Sequence, residues 1–503
     1  MIRRIPTLVL VALLSPAALA TDGEHTHSHP APERLGRVTF PTSCDPKVQA
    51  AFERGVALLH SFAYTEAEKA MRGVAAQDER CAIAHWGIAM SLYHQLWDTP
   101  AGDALHEGAA QVKQAMDQHA GTPRERAFIE ALNAYYTDAD NVAADVRAER
   151  YAKAMASVAR DNPDDVEAQV FNALSLIGTA SPSDRTHANL KQAGAILEPI
   201  YRAHPDHPGL AHYIIHAYDT PDLAPRGLAA ARAYAQIAPS VPHALHMPSH
   251  IFTRLGYWSD SIASNLAARK AAHAQGDTGE ELHAMDYLAY AYLQSGRTKD
   301  AEAILVDVQA MPAIQAGQFK SGYSATAIAV RIAVEQKDWD KASKLEVLPG
   351  SAPNVAAIVY WARALGNTRS KTPRPADADI AQLQASLAAQ KANGGGYWTM
   401  ETDALLKEAQ AWQLVQKGDP NGAVALMRAA ADEEDAFEKP PVSPGPVVPA
   451  REQLGELLLL QGKNVDAARE FQTALTYSPG RRGALAGASA ARTGVKTMAT
   501  PHP

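Results

Sequence analysis

Cysteine is almost missing from this chain of 503 residues, with Cys44 and Cys81 alone. No C-x-x-C occurs, so thiol redox chemistry lacks its usual signature. The phosphate-cradling G-x-x-x-x-G-K-[ST], the dinucleotide fingerprint G-x-G-x-x-G and the nucleophile elbow G-x-S-x-G are absent too. Nucleotide use, dinucleotide redox and serine hydrolysis therefore have no sequence support. Aromatic residues are only 7%, and 47 Lys+Arg stand against 55 Asp+Glu with no dense basic face. Nucleic acid and anionic membrane surfaces are excluded as expected partners on that balance. Past the first twenty residues, no run is long and apolar enough to span a bilayer.

Those first residues read as a secretory leader. Arg3 and Arg4 supply the charged start, Leu8 to Leu14 the apolar stretch, and Ala18-Leu19-Ala20 the small-residue cleavage site. The expected location is periplasmic or secreted. In an oxidising compartment two cysteines invite a Cys44–Cys81 disulfide. Such a bridge would join the start of the first helix to the end of the first hairpin.

What the chain has in abundance is alanine-rich amphipathic helix in a repeating phase. Counting from Val448, Gly455, Leu458, Ala467, Phe471, Ala474 and Pro479 fall at positions 8, 11, 20, 24, 27 and 32 of a 34-residue unit. Counting from Val48, Gly55, Leu58, Ala67, Met71 and Val74 fill the first five of those slots. This pattern resembles the tetratricopeptide (TPR) family. The resemblance implies an all-α, right-handed α-solenoid of about ten TPR-like helical hairpins, with positions 2, 5, 9 and 12 of each first helix facing a concave groove.

The resulting organisation is a signal peptide at 1–20 and a histidine-containing extension at 21–44. TPR-like hairpins follow at 45–205, histidine-rich hairpins at 206–312 and degenerate hairpins at 313–437. A proline-rich loop at 438–450 and a C-terminal repeat with cap at 451–503 complete it. Pro440, Pro441, Pro444, Pro446 and Pro449 forbid helix in that loop. Asn367–Asp379 and Gly394–Gly396 read as loops.

Histidine placement carries the chemistry. Pro208 and Pro242 open successive first helices, and His212/His216 recur 34 residues later as His246/His250, at positions 5 and 9. Asp219 takes position 12, His243 position 2, and in the next repeat His283 and Asp286 take positions 2 and 5. Residues four apart share a helix face, and neighbouring helices lie roughly 8–10 Å apart, so imidazoles of adjacent repeats can meet on one ion. A lone H-x-x-x-H is usually a surface coincidence; a second pair in the same phase argues for a zinc or copper site of one or two ions. Manganese or iron enters if both aspartates ligate. Asp219, Asp286 and Arg254 are the candidate catalytic residues. His25, His27 and His29 read equally as a loose metal-capturing tail or as a tail without function. His60 and His94, also in phase, read equally as groove residues or aromatic core.

The runs Phe40-Pro41-Thr42-Ser43-Cys44, Leu58-Leu59-His60-Ser61-Phe62, His246-Met247-Pro248-Ser249-His250-Ile251-Phe252 and Pro441-Val442-Ser443-Pro444-Gly445-Pro446 are similar to those of a group of exported bacterial tetratricopeptide proteins. That resemblance implies fold and export and transfers no activity. Three functions remain open at this level: a scaffold holding a metal, peptide or protein in its groove, a metal-dependent hydrolase, and an assembly factor without metal.

Overall fold

The computed structural model describes residues 32–494 apart from Asp98, Ala120, Ala313 and Gly395. The leader residues and His25, His27 and His29 lie outside the described residues. Among the described residues twenty-four helices follow one another, with no strand. They pair into hairpins from Gln49–His60 with Tyr64–Gln77 to Ala450–Leu460 with Asn464–Tyr477, and Arg482–Thr493 covers the last of them. The chain is thus an all-α array of stacked helical hairpins. None of the described helices is long and apolar enough to cross a membrane.

Close approach within a hairpin is set by one glycine and one large side chain. A Cβ on Gly55 would stand 2.6 Å from the Met71 methyl, and one on Gly455 2.7 Å from the Phe471 ring. These are positions 8 and 24 of the repeat in the first and last hairpins, so the register read from sequence is the register of packing. Met71 and Phe471 are buried accordingly, each contributing roughly 1.5–3 kcal/mol by leaving water.

Two hairpins differ from expectation. Asn367–Asp379 is a loop only in its middle: helices Pro353–Arg369 and Asp377–Ala392 take both ends of it. Its polar residues suggest a turn, but the Ser370 N–H still reaches the Gly366 carbonyl at 3.2 Å and the helix runs on. The hairpin begun by Phe319–Glu335 has a second helix of only four residues, Trp339–Ala342. Gly394 and Gly396 lie where expected, at positive φ of 97° and 107°, between Ala392 and Tyr397.

Cys44 and Cys81 form the expected disulfide, with Cα atoms 4.9 Å apart. It ties the approach to the first helix to the N-cap of Ala82–Leu92. The segment ahead of it is a second staple. Phe40 is buried among Phe52, Trp86 and Phe128, and Arg37 donates to the Asp206 carbonyl at 2.9 Å, just before the first histidine helix.

A candidate metal centre of two three-histidine sets

Three helices carry the cluster. The first, Pro208–Ala217, follows Pro205; its N-terminus is capped by His207, whose Nδ1 accepts from the Leu210 N–H at 3.3 Å. The second, Pro242–His246 continued by Pro248–Leu255, is interrupted because Pro248 has no N–H to offer. Met247 keeps helical angles (φ −52°, ψ −36°), so His246 and His250 remain on one face. The third, Thr278–Gln294, is capped by Asp277, which accepts from the Glu280 N–H at 3.0 Å.

These helices bring the histidines together as two equivalent sets. His212, His216 and His243 each offer a ring nitrogen within 4.8 Å of the others, and His246, His250 and His283 do the same. Each set takes positions 5 and 9 of one repeat and position 2 of the next. The sets adjoin, with the His216 and His250 rings 6.1 Å apart and those of His243 and His246 6.2 Å apart. All six residues are at most 5% exposed. The cluster is enclosed and does not line an open groove. Phe62, Trp97 and Tyr287 close around it, Phe62 lying 4.4 Å from the His212 ring. Phe62 adopts a positive φ of 53°, a costly conformation for a non-glycine residue, at that position.

The proton inventory separates this cluster from an ordinary hydrogen-bond network. His246 Nδ1 is 2.6 Å from Asn265 Oδ1, and Asn265 Nδ2 donates to the Ser261 carbonyl at 2.8 Å, which fixes the amide orientation. His246 therefore carries its proton on Nδ1. His250 Nδ1 is 2.9 Å from Asp219 Oδ2 and donates to it. Both Nε2 atoms are left as lone pairs, yet they face each other at 3.0 Å. Two acceptors so placed repel unless an electrophile lies between them. Two nitrogens on one ion at 2.0–2.1 Å with tetrahedral angles stand about 3.3 Å apart, close to what is seen.

The first set repeats the geometry. His212 Nδ1 donates to the His60 carbonyl at 2.6 Å, so its Nε2 is a lone pair, 3.0 Å from His216 Nε2. His243 Nε2 and His283 Nδ1 have no hydrogen-bond partner, although both are buried, while His243 Nδ1 stands 3.4 Å from the Glu280 carboxylate. Buried imidazole nitrogens without partners are rare in folded proteins and call for a ligand. Burial keeps the rings neutral: it holds His212, His216, His246 and His283 well below the usual histidine range, and His250 down to about 4 despite the nearby Asp219 carboxylate. Neutral imidazole is the form that binds a cation.

Asp219 and Asp286 stand outside both sets. The first histidine helix ends at Ala217, so Asp219 leaves the helical stripe on which position 12 would place it. Its Oδ1 accepts from Arg254 Nε at 2.8 Å and its Oδ2 from His250 and from Lys439 at 3.1 Å. Burial alone would raise this carboxyl; Lys439 and Arg254 outweigh it and hold the group well below the ordinary range. Asp219 thus orients His250 from behind, the usual companion of a metal-ligating histidine. Arg254 is engaged by Asp219. Asp286 is fully buried against Arg331 at 2.8 Å, in the next hairpin. Neither aspartate is arranged as a free base.

A neighbouring group behaves differently. Glu167 accepts from His60 Nε2 at 2.8 Å and His207 Nε2 at 3.0 Å, while His60 Nδ1 meets the Tyr213 hydroxyl at 3.0 Å. Every proton there has an acceptor, so this cluster is a closed hydrogen-bond network. His60 is core, and His94 stacks on Tyr64 with ring centroids 4.2 Å apart.

The proline-rich segment 438–450 lies across the same face. Tyr287 donates to the Pro441 and Ser443 carbonyls, each at 3.1 Å, Tyr323 to Ser443 Oγ at 2.9 Å, and Arg331 to the Gly445 carbonyl at 3.0 Å. The chain's own extended segment thus covers these side chains. Sequence reasoning missed Asn265, Phe62 and Tyr287. Of these only Tyr287, four residues after His283, had a signal in helical spacing.

No family model and no curated protein matches the chain. Among solved structures it is similar to the human IFIT1 dimer with m7Gppp-AAAA, at 12% identity over 82% of this chain and 90% of that one, with a TM-score of 0.35. The Naa15/Naa10 complex bound to HypK-THB is similar at 11% identity over 84% and 68%, with a TM-score of 0.19.

Proposed function

We propose that the protein is an exported helical scaffold that holds transition-metal ions, zinc or copper, in the two three-histidine sets. The observation that carries this reading is the His246–His250 contact: two Nε2 lone pairs at 3.0 Å, each fixed by a hydrogen bond on the opposite ring nitrogen. The neutral donor set fits zinc and copper. Export is supported by the leader-like first residues and is compatible with the Cys44–Cys81 disulfide. A peptide or protein partner would have to displace segment 438–450 or dock elsewhere, so the metal reading is preferred to peptide capture. The hydrolase reading loses its bases, because Asp219 and Asp286 are committed to cations.

The test is metal analysis of the untagged chain after loading with zinc or copper and dialysis. Two ions per chain are expected, falling to one in His212→Ala/His216→Ala and to one in His246→Ala/His250→Ala. Retention of no ion by the folded wild-type chain would remove the reading.

A further inference from the structure

Resting on that reading, we infer that the sets select monovalent copper, Cu(I), over zinc or Cu(II). All six donors are imidazoles, which ligate a cation in their uncharged form, and no carboxylate belongs to either set. The carboxylates around them are already neutralised. Asp219 is held by Arg254 and Lys439, and Glu438 by Arg185 at 2.5 Å and Arg254 at 3.5 Å. Glu280, 3.4 Å from His243 Nδ1, is held by Lys320 at 2.6 Å. Asp286 is held by Arg331, and Glu167 lies outside both sets, accepting from His60 and His207 in its own network.

Two dications would therefore place four positive charges in an enclosed site with no carboxylate among their ligands to oppose them. Both the desolvation of an ion and the repulsion between the pair grow with the product of charges, so replacing dications by monocations cuts each about fourfold. Among monovalent ions, the alkali metals take oxygen ligands, whereas copper accepts imidazole. The inclusion of Lys439 against Asp219, when Arg254 already engages that carboxylate, strengthens the bias, because it offsets the one negative charge nearest His250.

The experiment loads the untagged full chain anaerobically with Cu(I) under ascorbate, in competition with a chromophoric Cu(I) chelator, alongside separate Zn(II) and Cu(II) titrations. Two Cu(I) per chain are expected, staying silent in electron paramagnetic resonance after exposure to air, with Zn(II) lost on dialysis. Retention of Zn(II) or Cu(II) as well as or better than Cu(I) overturns the preference while leaving the metal site standing. Retention of no ion removes both. Lys439→Met gives an independent readout: with the charge removed and helicity unchanged, bound copper is expected to develop a Cu(II) resonance in air. Copper that stays equally silent in the variant and is matched by Zn(II) retention in the wild type also overturns the charge argument.

Discussion

Asp219 Oδ2 and His250 Nδ1, 31 residues apart in sequence, lie 2.9 Å apart, on the side of the His250 ring away from Nε2. The contact fixes the tautomer and aims Nε2 at His246. Removing the charge while keeping the shape tests that function. Asp219→Asn is expected to weaken copper binding about 10–100-fold, the usual range for such supporting carboxylates. Chelator competition reads this, with circular dichroism as the control for folding. Unchanged affinity in a folded variant would mean that Asp219 serves Arg254 and Lys439 only.

Arg331 joins two features, the buried Asp286 and the carbonyls of Gly445 and Pro446. Arg331→Ala leaves Asp286 buried without its cation and is expected to cost about 3–5 kcal/mol. Denaturant unfolding measures the loss. Limited proteolysis is expected to cut within 438–450 in the variant before it does so in the wild type.

The disulfide closes a separation of 37 residues around the first hairpin. Cys44→Ser/Cys81→Ser is expected to destabilise that region by about 4 kcal/mol on the chain-entropy account. Because repeats contact mainly their neighbours, the effect should fade along the array. Hydrogen exchange should show faster opening of Gln49–Gln77 and little change at Ala450–Tyr477.

Far from the histidines, Glu408 accepts from Trp361 Nε1 and Gln453 Nε2, each at 2.7 Å, beside a cavity it shares with Glu401 and Glu434. Burial pushes this carboxyl up to about 8, against the hydrogen bonds that favour its charge. The folded state thus holds a proton that the unfolded chain releases near pH 4.5. The stability from this group is complete below that value and is lost as pH rises through about 8. Thermal stability is expected to fall between pH 5 and 9 in the wild type, and less steeply in Glu408→Gln.

The legible part of the site was the part written along single helices. His212/His216 and His246/His250 announce themselves by spacing four within a helix and 34 between repeats, and His243 and His283 by sharing a slot. The two aspartates show where that reasoning stops. Asp219 lies past the helix end at Ala217, so its slot number no longer fixes its direction. Asp286 occupies a helical slot, but Arg331 of the following hairpin takes it. The loop expected at Asn367–Asp379 went astray for a similar reason, since polar composition does not reveal that the backbone ladder continues to Ser370.

Sequence by itself determined the hairpin register at both ends of the array, because glycine at position 8 facing a large residue at position 24 is a local steric requirement, met at Gly55 and again at Gly455. It also determined which faces carry imidazoles. Tertiary structure alone decided the protonation pattern, through Asn265, Asp219 and the His60 carbonyl, and the closure of the site under Phe62, Tyr287 and segment 438–450. Those partners come from distant parts of the chain, and no helical periodicity links them to the histidines they control.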